Sequence, residues 1–318
     1  MNSNPISNDE EQCPKLEYDA FPSRVTLELT NHCNLSCAMC PRKFMSGPNV
    51  YMPFPLFQKI IDEMAQHQDI ALVPFFRGES LLHPQCIEML AYAKERGISP
   101  IQFTTNATLM NRELAEALMD LELDFISFSV DSLEPEAYQR IRKGSDLRTV
   151  MEHIEFFCNL KSQRGLDKPE IQVSMVRTKE TFDGVDNFIQ FWQGLADRVR
   201  VYEEHSQDGH FGALVKDNHT GDRKPCLKPF TDMVVYWNGI VAICNHDWDR
   251  KEPLGNLRDS TLEKIWQSEA YHKIRRAHMG DEKLEGPCEG CDHWKVYYTK
   301  ESLVGELHAG TPALMEDA

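Results

Sequence analysis

Long apolar runs are missing from this chain of 318 residues: no uninterrupted stretch approaches the roughly 20 residues a helix needs to cross a bilayer. The first residues carry neither a basic cluster nor an apolar segment of the secretory kind, so neither a membrane-embedded nor an exported protein is expected, and the expected location is cytoplasmic. Positive charge is also scarce, with 34 Lys plus Arg against 50 Asp plus Glu and a net charge of −16. Binding a phosphate backbone needs a cationic surface, so nucleic acid is excluded as the main partner and a small molecule or a peptide is expected. No internal repeat is visible. Cysteine, by contrast, is plentiful at 10 residues, and in a large non-secreted chain its grouped spacing favours metal ligation in a reducing compartment over disulfides.

Cys33, Cys37 and Cys40 form a CX3CX2C triplet in one short loop. Three thiolates on a four-iron cluster leave one iron open to a non-protein ligand, and an open iron implies chemistry there. The other reading is a structural zinc, for which only His32 is a local fourth ligand. The loop follows Arg24–Thr30, whose alternation of Val25, Leu27 and Leu29 with polar residues predicts a strand. Farther along, Arg77-Gly78-Glu79-Ser80 follows the strand-like run 70–76, Phe103–Thr108 follows another, and Ile126–Asp131 lies in a fourth.

On these motifs and their order the chain resembles the radical SAM superfamily. The resemblance implies that the open iron of a [4Fe–4S] cluster held by Cys33, Cys37 and Cys40 chelates S-adenosyl-L-methionine (SAM) and cleaves it to a 5′-deoxyadenosyl radical. It implies further that Glu79 receives the SAM amino group, that Gly78 and Asn106 lie beside the cofactor, that Ser129 and Asp131 lie near the SAM ribose and carboxylate, and that Met39 covers the adenine in place of the family's usual aromatic residue. Arg77 stands where the family carries a glycine and is expected to point away or toward an anionic substrate group.

Strand-like runs near 25–30, 70–76, 100–104, 125–130, 170–175 and 199–202 alternate with helical patterns over 55–66, 86–95, 112–121 and 185–195. Repeated β/α alternation builds a parallel sheet with its chemistry at the C-terminal strand ends. The expected fold is therefore α/β, a partial (β/α)6 barrel over 23–205 behind a polar tail over 1–22. A polar, Gly-rich linker over 206–225 leads to a small domain over 226–294, and a tail follows over 295–318. In the small domain Asn238-Gly239 predicts a β-hairpin, and one helix is expected over 261–278.

Cys226, Cys244, Cys288 and Cys291 give a C-X17-C and a CX2C that together can saturate one zinc or one cluster, and spacing alone leaves both open. Trp237-Asn-Gly239, Pro253–Leu257 and Thr261–Trp266 around them resemble the SPASM/twitch extension of radical SAM enzymes. This implies an auxiliary [4Fe–4S] cluster, and the cysteine layout is similar to the twitch branch of 2-deoxy-scyllo-inosamine dehydrogenase-type enzymes. Cys13, Cys86 and Cys158 fall outside both sets and are assigned no role.

An all-thiolate auxiliary site has no open iron and is expected to handle electrons. The resemblance then implies oxidation of a secondary alcohol of a small polyol, sugar or aminocyclitol, with a flavodoxin or ferredoxin-type electron donor as partner. Candidates for the base that takes the hydroxyl proton are Arg177, Tyr202, Glu203 and His205, all at late strand ends. The alternatives are a peptide-modifying radical enzyme, against which the short segment before Val25 weighs, and a redox-neutral epimerase using Cys86 or Cys158 as hydrogen donor.

Overall fold

The computed structural model describes residues 20–45, 47–204, 223–247, 250 and 252–297. His205, most of the expected linker and both tails lie outside the described residues. Elements run in the order β1 Arg24–Leu27, α1 Phe54–Met64, β2 Ala71–Val73, α2 Cys86–Glu95, β3 Gln102–Thr105, α3 Arg112–Asp120, β4 Phe125–Ser129, α4 Pro135–Ile141 and α5 Leu147–Arg164. They continue with β5 Glu170–Arg177, α6 Val185–Trp192, β6 Arg198–Glu203, α7 Lys228–Thr231, β7 Asp232–Val235, β8 Ile240–Ala242, β9 Gly255–Asn256, α8 Leu262–Trp266 and α9 Glu269–Met279.

The helices form where apolar residues recur at helical spacing. In α1, Leu56, Phe57, Ile60, Ile61 and Met64 make one buried face. The longest helix, α5, carries the same signal in Leu147, Val150, Ile154 and Phe157, starts on the Asp146 side chain that accepts the Thr149 N–H, and stops at Gly165 in the left-handed region. It was not among the helices expected from sequence, although its stripe is legible.

β1 and β2 pair in parallel, as do β3 through β6, and a single bridge between Leu72 and Ile101 joins the two groups. The result is the expected curved, open α/β sheet. Val25, Leu27, Ile126, Phe128, Val173 and Val201 belong to one core with Phe57, Phe157 and Trp192 from the helices. The opposite, concave face is polar: Gln172 Nε2 donates to Ser127 Oγ at 3.0 Å, and Ser174 is buried beside them. A polar interior suits ligand binding better than packing.

The hairpin is not a separate sheet. β7 pairs in parallel with β1, from Arg24 opposite Asp232 to Leu27 opposite Val235, and β8 and β9 continue antiparallel from it. Met233 and Val235 thereby enter the same core as Val25 and Leu27, and Leu262, Ile265, Trp266 and Tyr271 join it. Pairing β7 against β1 covers an edge that would otherwise expose unpaired backbone groups. The turn falls at Asn238-Gly239 as expected, with Gly239 at φ 87°. The single helix expected over 261–278 is two, because Ser268 leaves the helical region and its hydroxyl accepts the Tyr271 N–H, capping α9 afresh after α8 ends.

Candidate functional site

The loop bearing Cys33, Cys37 and Cys40 leaves β1 and is pinned on two sides. Thr30 Oγ1 donates to Val50 O at 2.6 Å, while Ser36 N and Ala38 N donate to Lys143 O and Ile141 O at 3.0 and 2.8 Å from the end of α4. All three thiols are half-buried, as is Met39 beside them. Burial raises the Cys33 thiol and pushes Cys37 up to about 11, with the Arg142 guanidinium working against that rise.

Gly78 closes onto this loop so tightly that a Cβ would stand 2.2 Å from Thr30 O, and the next residue donates its N–H to His32 O at 2.8 Å. Only glycine fits there. Glu79 is 3% exposed and its carboxylate accepts the Thr105 hydroxyl and the Asn106 N–H, both at 2.8 Å, and the Leu81 N–H at 3.3 Å. Burial raises its pKa against those donors. A carboxylate has about four lone-pair sites, so about one remains for a ligand ammonium. Asn106 Nδ2 donates to Asn34 Oδ1 at 3.0 Å, tying the end of β3 to the residue after Cys33.

Asp131 is fully buried at a left-handed φ of 69°, and its carboxylate accepts Arg142 Nε at 2.5 Å and Val176 N at 2.7 Å. Ser129 ends β4 opposite Ser174. Sequence reading missed Arg142 because nothing in its spacing from Asp131 or Cys37 marks a contact; only the return of α4 to the loop brings the three together.

Arg77 points away from solvent into the interior. Its guanidinium donates to both Glu28 oxygens at 2.5 and 2.7 Å and lies 4.2 Å from the centroid of Tyr236, and Glu28 also accepts the Trp237 N–H at 3.3 Å. Both ion-pair partners are buried. The residue standing where a family glycine is expected thus bolts the root of the first cysteine loop to the turn of the β7–β8 hairpin.

The second set converges as well. Cys226, Cys244, Cys288 and Cys291 line one small cavity with Arg223, His278 and Ile243. Three of the thiols accept a backbone N–H from two residues on: Cys226 from Lys228, Cys244 from His246 at 3.3 Å and Cys291 from His293 at 3.4 Å. Burial pushes Cys226 up to about 11 and Cys288 to about 12. Arg223 fixes the CX2C turn by donating to Cys288 O and Glu289 O at 2.5 and 2.9 Å. Four soft thiolates around one cavity are ligands that either an iron–sulfur cluster or a zinc takes.

The base candidates separate by strand alternation. In the β5–β6 register Tyr202 lies opposite Val176, in line with Gln172 and Ser174 on the concave face, and is 47% exposed. Arg177 falls on the other face, 5.7 Å from the Phe182 ring centroid, and Glu203 ends β6 opposite it. Cys86 is buried in the helix-side core and Cys158 packs against that core from α5, so neither opens onto the concave face.

The strand-end constellation and thiol pocket define an iron–sulfur enzyme of the α/β barrel type. The profile of the radical SAM superfamily matches residues 27–190, just over half of the 318 residues, and the chain belongs to that superfamily. The profile of the SPASM iron–sulfur cluster-binding domain matches residues 226–292. SAM, a [4Fe–4S] cluster and an auxiliary iron–sulfur cluster are the cofactors these domains carry. The tungsten-containing aldehyde ferredoxin oxidoreductase cofactor-modifying protein of Pyrococcus furiosus is 27% identical over 293 residues, covering 78% of this chain and 82% of its own. A probable GTP 3′,8-cyclase of Methanocaldococcus jannaschii is 32% identical, but over only 41% of this chain and 43% of its own. Among solved structures, BtrN in complex with AdoMet and 2-DOIA has a TM-score of 0.56 at 16% identity, covering 85% of this chain and 92% of its own. Streptococcus suis SuiB bound to precursor peptide SuiA has a TM-score of 0.69 at 16% identity, covering 89% and 72%. At such identities these two share the fold. No helix among the described residues is long and apolar enough to cross a membrane.

Proposed function

We propose that this radical SAM enzyme is an oxidoreductase that converts a secondary alcohol of a small polyol, sugar or aminocyclitol to a ketone. The observation that carries the reading is the second pocket, where four cysteines and no open ligand position favour electron transfer over substrate binding. When bound, SAM on the cluster that Cys33, Cys37 and Cys40 would hold would supply the hydrogen-abstracting radical, and the cluster that Cys226, Cys244, Cys288 and Cys291 would hold would supply an electron acceptor.

The chain's own residues do the rest. Cys33, Cys37 and Cys40 hold the first cluster, and Arg142 sets a buried positive charge beside Cys37 that favours its thiolate. Glu79 offers its remaining lone pair to the SAM ammonium, Gly78 keeps that strand end against the cysteine loop, and Met39, Asn106, Ser129 and Asp131 surround the nucleoside end. Cys226, Cys244, Cys288 and Cys291 hold the auxiliary cluster. Of the four base candidates Tyr202 is the described one on the concave, solvent-reached face, and as its phenolate, having given its own proton to solvent, it would take the hydroxyl proton. A flavodoxin or ferredoxin-type protein supplies the electron for SAM cleavage. The likeness to BtrN, solved with 2-DOIA, supports a small-molecule substrate.

Peptide modification is the second reading, favoured by the larger structural overlap with SuiB. The deciding experiment supplies reduced protein with SAM and, in separate arms, a panel of deuterated cyclitols and sugars and a panel of short peptides. Equal amounts of 5′-deoxyadenosine and ketone, with the deuterium found in the deoxyadenosine, support dehydrogenation. An alcohol product of the same oxidation level carrying a solvent-derived hydrogen at that carbon, with the deuterium in the deoxyadenosine, supports epimerisation, and turnover of peptides alone supports the second reading.

A further inference from the structure

His278, on the last turn of α9, lines the four-cysteine cavity and is only 5% exposed. Its Nδ1 accepts the backbone N–H of Cys226 at 3.3 Å. A backbone amide can only donate, so Nδ1 carries no hydrogen and the neutral ring must carry it on Nε2. That Nε2–H is buried and has no hydrogen-bond partner in the protein. Buried donors are normally satisfied, and one left over at the wall of a thiol-lined cavity points at whatever fills the cavity.

We infer that His278 donates its Nε2–H to a thiolate or sulfide sulfur of the auxiliary cluster and so raises that cluster's reduction potential. The inference rests on the reading that this cavity holds the auxiliary cluster. Hydrogen bonds to cluster sulfurs stabilise the reduced, more negative state, and they are one of the levers by which a protein sets such potentials. A higher potential makes the cluster a better acceptor for an electron leaving a substrate, the direction an oxidase-type reaction needs. His278 is thus a tuning residue, held in register by its bond to the first auxiliary ligand.

The test is an EPR-monitored redox titration of anaerobically reconstituted full-length protein. His278→Leu, which deletes the donor, should shift the auxiliary cluster's reduced-to-oxidised ratio at fixed potential at least tenfold toward oxidised, equal to 59 mV for a one-electron couple. The first cluster's potential should not move. His278→Gln, which can place an amide N–H where Nε2 stood, should restore most of the shift. An unmoved auxiliary potential in His278→Leu with both clusters intact overturns the inference. Should that variant fail to assemble, pulsed EPR on reduced intact protein labelled with 15N-histidine decides. A weak nitrogen coupling that His278→Gln abolishes supports the donor role, whereas no such coupling, or the strong coupling of a directly bound nitrogen, overturns it. An iron and sulfide count of one cluster in the intact protein would instead remove the auxiliary-cluster reading itself.

Discussion

The two thiol sites are built from opposite materials. Cys33, Cys37 and Cys40 come from one loop, whereas Cys226, Cys244, Cys288 and Cys291 are gathered from a hairpin, its approach and a distant CX2C around one small cavity, and of all seven only Cys244 is buried. One local device recurs in both, since Cys33 accepts the N–H of Leu35 just as Cys226, Cys244 and Cys291 accept those of residues two farther on. What differs is the surroundings. The first loop faces Glu79, which has a lone pair to spare, and the second is bordered by Arg223 and His278. A loop that can be reached from outside suits a site that binds and cleaves a ligand. A cavity lined by four thiols, enough to occupy every iron of a cluster, suits one that only exchanges electrons.

The strongest way to break this comparison is to remove each thiol set in turn. Cys33, Cys37 and Cys40 changed together to Ala should halve the iron and sulfide content and abolish SAM cleavage, because the open iron is lost. Residual 5′-deoxyadenosine would mean that the second site also binds SAM. The double variant Cys288→Ala, Cys291→Ala should also leave one cluster, yet still cleave SAM with an external reductant while making no ketone. Because metal ligands also contribute folding energy, circular dichroism and the first cluster's EPR signal must be retained for that uncoupling to count.

Arg77 joins the two sites, and its removal should be the costliest single change to the fold. Arg77→Ala leaves Glu28 charged and buried without its bidentate partner, a change worth about 3–5 kcal/mol in stability. Chemical denaturation measures it. A loss under 1 kcal/mol would show that Glu28 finds other partners and that the hairpin turn is not bolted to the first loop. Glu79→Gln should cost about 1.5–3 kcal/mol in SAM affinity, roughly tenfold to a hundredfold in Kd by calorimetry, since the bond lost is charge-assisted. Unchanged affinity with both clusters present would confine Glu79 to its bonds with Thr105, Asn106 and Leu81.

Sequence pattern carried much of this and failed at identifiable places. The strands were legible because apolar and polar residues alternate, and the cysteine groups because thiols within a few residues must share a loop. Contacts between elements far apart in sequence were not legible. Arg77 with Glu28 is separated by 49 positions and Glu28 with Trp237 by 209, and no periodicity encodes either. The pairing of β7 with β1 is the same case, because Met233 and Val235 alternate as any strand would and do not say which edge they join. The break between α8 and α9 turned on one hydroxyl, Ser268, set in a stretch whose apolar spacing reads as continuous helix.

The mildest change tests whether the two sites ride on one rigid body. Glu63, from α1 of the barrel, accepts the N–H groups of Leu262 and Glu263 at 2.9 and 3.1 Å and so caps α8 from another element, while the neighbouring Lys59 donates to Leu257 O and Ser260 O at 2.6 and 3.0 Å. Thr261 caps the same helix locally by accepting the Lys264 N–H. With one cap remaining, Glu63→Ala should cost only about 1 kcal/mol. If the barrel and the 226–297 region share one core, as the placement of Trp266 and Tyr271 beside barrel residues indicates, that cost should lower a single cooperative transition without changing cluster content. A separate early transition in the Glu63→Ala variant, with loss of auxiliary iron and retention of the first cluster, would show instead that the second site folds as its own unit and is merely docked through α1. Native-state hydrogen exchange at the amides of 262–279 reads the difference directly, since in a single unit they would open with the global free energy and in a docked one with less.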